Sequence, residues 1–88
     1  ESYGEDTVAM LRAIVALDRH GIEPRHLRAM RASAERDVAL IESSLSTLLR
    51  RQDAGSRAKA NELAPELARR LDDVRHAVVA AALMRIFP

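Results

Sequence analysis

Seven apolar residues constrain this chain more than anything else in it. Leu27, Met30, Ala34, Val38, Ile41, Leu45 and Leu48 follow one another at steps of three and four. That spacing is close to a heptad seam and keeps one apolar stripe on one side of an α-helix. It predicts a single helix over residues 24–52, with Leu40 and Leu49 widening the stripe. At 1.5 Å per residue such a helix extends about 42 Å. Its stripe needs a partner, either elsewhere in the chain or outside it.

The flanking segments are helical too. Before the stripe, Val8, Met10, Leu11, Ile14, Val15 and Leu17 recur three and four apart, which predicts an amphipathic helix over residues 6–20. Ser2 and Glu5 have capping-box spacing, with Asp6 or Thr7 as alternative caps. After the stripe, Asp53-Ala54-Gly55-Ser56 reads as a four-residue turn with one glycine and two capping candidates. A connection this short returns the next helix antiparallel. That helix is expected over residues 57–85 on Leu63, Leu67, Leu71, Val74 and Val78, with Val79, Leu83 and Ile86 as a second line. Pro65 lacks an N–H and clashes with the preceding turn, so a kink or a break near residues 61–64 is expected.

The junction His20-Gly21-Ile22-Glu23-Pro24-Arg25-His26-Leu27 separates the first two helices. Gly21 suits the left-handed residue that closes a helix, and Pro24 suits the first turn of the next. No segment alternates with period two. The fold expected is all-α, with three to four helices: a long antiparallel helical hairpin preceded by a short packing helix.

Composition sets the limits on function. With 88 residues, the chain is one small domain or part of a larger protein, and its first residue is Glu1 rather than Met, as in an excised piece. Its apolar fraction is 48% but rich in alanine, and its only aromatics are Tyr3 and Phe87. Such a core is thin and gains from burial against a second copy. The lack of cysteine excludes disulfides and thiolate metal sites, and a net charge of +1 is too balanced to mark a nucleic-acid binder. No apolar run is long enough for a membrane span, so no membrane association is expected.

No chemistry of catalysis is visible. There is no Ser/His/Asp arrangement, glycine-rich phosphate loop or H-E-x-x-H, and the adjacent Asp72 and Asp73 diverge on a helix. An enzyme is not expected. His20 and His26 flank the junction without a thiol or carboxylate set beside them, and His76 has Asp72 one turn earlier. No metal or other cofactor is expected. Arg19, Arg25, His26, Arg28 and Arg31 form a basic cluster around the junction, partly neutralised by Asp18 and Glu23. Charge pattern alone reads this as a solvated helix face; the functional alternative is contact with a phosphate backbone.

Three segments together carry a family resemblance: Tyr3-Gly4-Glu5-Asp6-Thr7-Val8, Leu11-Arg12-Ala13-Ile14-Val15-Ala16-Leu17, and Gly21-Ile22-Glu23-Pro24-Arg25-His26-Leu27-Arg28. They resemble the end of the DNA-binding domain in MerR-family transcription regulators, in particular an actinobacterial MerR-like group. The resemblance continues through Arg31-Ala32-Ser33-Ala34-Glu35-Arg36-Asp37-Val38 and, more weakly, through Arg57-Ala58-Lys59-Ala60 and Glu66-Leu67-Ala68. It implies a cytoplasmic, homodimeric regulator that reaches promoter DNA through a winged helix-turn-helix absent from these residues.

On that reading residues 1–88 are one helical C-terminal dimerisation and effector domain, with residues 1–23 resembling the end of the reader. The dimer and core seam is expected at Val38, Ile41, Leu45, Leu48, Leu67, Leu71, Val74 and Val78. The basic cluster would flank the DNA site. Alone, the chain would bind DNA weakly or not at all. The cysteines of metal- and redox-sensing members are missing, and so is the aromatic pocket of drug-sensing ones, which leaves any small-molecule or protein effector unspecified. The alternative, from another class, is a stand-alone helical adaptor that docks a partner helix in a groove beside the hairpin.

Overall fold

The computed structural model describes residues 2–88, with side chains from Gly4 onward. It is all-α: α1 (Ser2–Arg19), a 3-10 turn (Pro24–Leu27), α2 (Arg28–Ser44), α3 (Ser46–Arg51) and α4 (Ala54–Ile86). No strand occurs among the described residues. The chain divides into two units, Glu1–Ala34 and Glu35–Pro88, each described by itself.

In the first unit α1 runs from Ser2, so Asp6 and Thr7 lie inside the helix rather than capping it. The Ser2 capping contact falls outside the described side chains. At the other end Gly21 takes φ +88°, the left-handed conformation that suits glycine. The Gly21 N–H donates to the Asp18 carbonyl at 3.1 Å, and the Ile22 N–H donates to the Leu17 carbonyl at 3.0 Å. These two bonds make a Schellman closure and satisfy carbonyls that the helix end would leave open. The following turn opens on Pro24 with its own hydrogen bonds. The His26 N–H donates to the Glu23 carbonyl at 2.8 Å, and the Glu23 N–H donates back to His26 Nδ1 at 2.9 Å. Ile14, Leu17 and Leu27 are half-buried, whereas Val8, Met10, Leu11 and Val15 are exposed.

The second unit is a helical hairpin. The long helix expected over residues 24–52 is instead a 3-10 turn, α2 and α3, with a break at Leu45. Leu45 has φ −99° and ψ 8°, outside the helical range. The break follows two serines, and the Ser44 hydroxyl donates to the Ile41 carbonyl at 2.8 Å. A serine bonding back onto its own helix competes with the ladder and bends it. The ladder still crosses the break: the Leu45 N–H donates to Ile41, and the Leu49 N–H to Leu45, both at 3.0 Å. The bend sends the Leu45 side chain inward, and it is the one large apolar side chain that is buried (7% exposed) among the described residues.

The turn into α4 is also tighter than the sequence suggests. Only Gln52 and Asp53 separate α3 from α4, so Gly55 and Ser56 are helical. The left-handed residue is Gln52, with φ 61° and ψ 14°. Asp53 caps α4: its Oδ1 accepts the Ser56 N–H at 2.7 Å, and its Oδ2 accepts the Ser56 hydroxyl at 3.0 Å. These two Ser56 bonds, with smaller help from Arg51, hold the Asp53 carboxyl below the usual carboxylate range.

Against α3 the new helix presents small residues. Ser56 (7% exposed) and Ala60 (3%) are buried, and Ala64 is half-buried one turn further on. Small side chains four apart let two helix backbones approach closely, and α3–α4 is the tightest helix pairing of the unit. Ile41, Leu48, Leu49, Leu63, Leu67 and Leu71 line the rest of the hairpin, half-buried. An ion pair ties its open end: Arg75 Nη2 donates to Asp37 Oδ2 at 2.5 Å, across 38 positions of sequence.

Pro65 neither ends nor splits α4, which continues for 33 residues, about 50 Å. The carbonyl that loses its partner is that of Asn61, an exposed residue open to water.

Two substitutions test the corner. Gln52→Gly removes a side chain from a left-handed position. Gly55→Ala adds a Cβ whose nearest neighbour, Asp53 Oδ1, lies at an ordinary 3.5 Å. Each is expected to raise unfolding stability by about 0.5–1 kcal/mol in denaturant titrations followed by circular dichroism. Asp53→Ala tests the cap. A carboxyl held below its unfolded value stabilises the fold above that value, about pH 4, and loses the effect as pH falls through the folded value. The variant is expected to unfold at lower denaturant than the wild type at pH 7, with the gap closing toward pH 2.

Candidate functional site

The eight residues of the expected seam divide into two groups. Leu45 is buried, and Ile41, Leu48, Leu67 and Leu71 are half-buried inside the hairpin. These five hold the unit together. Val38, Val74 and Val78 are each 63% exposed. On α4, Val74 and Val78 continue the line of Leu63, Leu67 and Leu71 at helical spacing, beyond the stretch that α3 covers. Val79, Leu83 and Ile86 run beside them, exposed, with Met84 and Phe87. The core line therefore continues into Val74 and Val78, and the remaining bare residues lie farther round the helix.

Where α2 and α4 separate, the same face opens into a groove of about 250 Å³. Leu40, Ile41 and Ser44 form one wall, and Leu67, Leu71 and Val74 the other, with Arg70 at the rim. Its lining is almost wholly apolar. Arg70 leans toward Asp73, at 3.5 Å on its own helix. A shallow hollow along α1 is lined by Gly4, Glu5, Val8, Ala9 and Arg12, all from that helix, so it has no opposing wall.

The basic cluster of the first unit is partly engaged. Arg25 Nε bonds Glu23 Oε1 at 2.6 Å, and His26 Nδ1 is taken by the Glu23 N–H. An Nδ1 that accepts a backbone N–H carries no proton and has no lone pair left for a metal. Arg19 ends α1 and Arg28 begins α2, both exposed; Arg31 lies one turn further along α2. Among the described residues, no three His, Asp or Glu side chains come together to hold a metal. No helix among them is long and apolar enough to cross a membrane.

Three features escaped the sequence reading. Ser56 and Ala60 form the tightest contact, and their signal was the spacing of small residues at 56, 60 and 64 rather than any apolar stripe. Asp37 pairs with Arg75 across the hairpin, and no local pattern announces it. Arg50, Arg51 and Arg57 gather around the α3–α4 corner.

A family model described as the Rv1828-like C-terminal domain matches residues 1–87. Two curated relatives are each 41% identical over 66 residues: the HTH-type transcriptional regulators Rv1828 of Mycobacterium tuberculosis and Mb1859 of Mycobacterium bovis. The match covers 75% of this chain but only 27% of either relative. No solved structure matches the chain.

If the seam divides as described, its two halves respond differently to charge. Leu45→Asp places a carboxylate in the buried core and is expected to abolish cooperative thermal unfolding. Val78→Asp lies on the bare face and is expected to keep the helical circular dichroism of the wild type.

Proposed function

The chain belongs to the Rv1828-like C-terminal domain family, and on that premise we propose that it is the C-terminal dimerisation domain of a MerR-type, DNA-binding transcription regulator. Its role is assembly rather than catalysis. The helix-turn-helix named in the relatives lies in the remainder of those longer proteins, and this domain pairs two such readers in the cytoplasm. An effector that shifts regulation would act by changing how the two copies meet.

One observation carries this reading: the α4 line that forms the hairpin core continues at helical spacing through Val74 and Val78, each 63% exposed, while Val79, Leu83 and Ile86 form a second bare line farther round the helix. Nine large apolar side chains in this unit are half to two-thirds exposed or more, Val38 and Leu40 among them, and covering each withdraws roughly 60–120 Å² at about 25 cal/mol per Å². They lie on more than one side of α4, and a second copy covers those that share a side. A two-fold axis lets one apolar patch serve both partners.

Light scattering on the purified chain tests the proposal. The expected mass is twice the 9.7 kDa of one chain, falling to a single chain in Val78→Asp. A wild-type monomer at high micromolar concentration would overturn it. The same sample is expected to show no preference between promoter sequences; tight, sequence-specific binding would place the reader here instead.

A further inference from the structure

The α3–α4 corner is the most lopsided stretch of charge in the molecule. Residues 50–59 hold Arg50, Arg51, Arg57 and Lys59 against one acid, Asp53, a net +3. The whole chain is +1, so the other 78 residues sum to −2. Asp53 offsets one of these cations, and both its oxygens already accept bonds from Ser56. Lys59 has its own partner in Glu62, at 3.7 Å. That leaves Arg50, Arg51 and Arg57, all exposed and none in an ion pair among the described residues. They flank one short connection: Arg50 and Arg51 end α3, Arg51 acts on the Asp53 carboxylate, and Arg57 lies in the first turn of α4.

We propose that this corner is a docking surface for the phosphodiester backbone of duplex DNA, sequence-independent and separate from the reader. Its side chains favour that partner over an acidic protein. A protein interface takes most of its energy from apolar or aromatic anchors. The stretch from Arg50 to Lys59 holds nothing apolar larger than alanine. Phosphate contact needs no such anchor; guanidinium forks suffice, and the positive end of the 33-residue α4 adds to the field. The inference takes from the functional proposal only that the protein works on DNA, and it does not depend on dimerisation.

Fluorescence anisotropy with a labelled duplex of arbitrary sequence, titrated with the chain at several NaCl concentrations, tests it. Three phosphate contacts predict weak binding whose log K falls against log salt with a slope of about −2.7 per chain. R50Q/R51Q/R57Q is expected to weaken binding at least tenfold and flatten the slope while retaining the wild-type melting curve. R19Q/R28Q, at the other basic cluster, is expected to change binding little. The proposal is overturned if R19Q/R28Q abolishes binding while the corner variant does not, if polyglutamate competes as well as unlabelled duplex, or if no binding is seen at low salt. Light scattering on the same samples separates the two readings: a monomer that still binds DNA through the corner removes the dimer alone.

Discussion

The second unit depends on the close approach of α3 and α4. A two-residue connection forces the helices together, and only small side chains at the contact let them meet. Ser56 and Ala60 meet that requirement, and Leu45 fills the space beside them. The other features of the corner serve the same approach. Gln52 takes a left-handed turn that a side chain resists, and Asp53 closes α4 by holding Ser56 with both oxygens. Overpacking here would cost about 1–3 kcal/mol and push the helices apart. Further up the hairpin the contact loosens, the leucines are only half-buried, and the Asp37–Arg75 pair becomes the tie.

That gradient explains why the chain looks built to be completed. Val74 and Val78 continue the core line along α4 past the stretch that α3 covers, and Val79, Leu83 and Ile86 add a second bare line. A face of this kind costs solubility unless something covers it. The family supplies the context: regulators in which a domain like this one makes up about a quarter of the length.

Much of the architecture was legible because helical periodicity is a local signal. The stop at Gly21, the start at Pro24, the antiparallel return and the stripe of Leu63, Leu67 and Leu71 all follow from residues close in sequence. Two differences share a cause: a local preference gives way to its tertiary setting. The long second helix breaks at Leu45 because Ser44 bonds its own backbone and because burial rewards the bend. Gly55 marked a turn, yet the chain turns at Gln52, where the short link demands it. At Pro65 no break occurs: the lost hydrogen bond falls on a carbonyl open to water, and α4 continues. For the candidate site, apolar spacing identified which positions matter without separating those that close the hairpin from those left bare. Both kinds repeat every three or four residues, and only how far α2 and α3 pack against α4 divides them.

The short link between α3 and α4 also sets an order of events in folding. The tightest pairing joins α3 and α4, which are neighbours in sequence, so closing it sacrifices little chain entropy. The corner can therefore organise within a single chain as it emerges. The bare end of α4 has no such local partner; under the dimer proposal a second copy would reach it in a later step whose rate depends on concentration. A newly made chain would then pass through an interval with its corner formed and its apolar end still unclaimed, its length set by the concentration of that second copy.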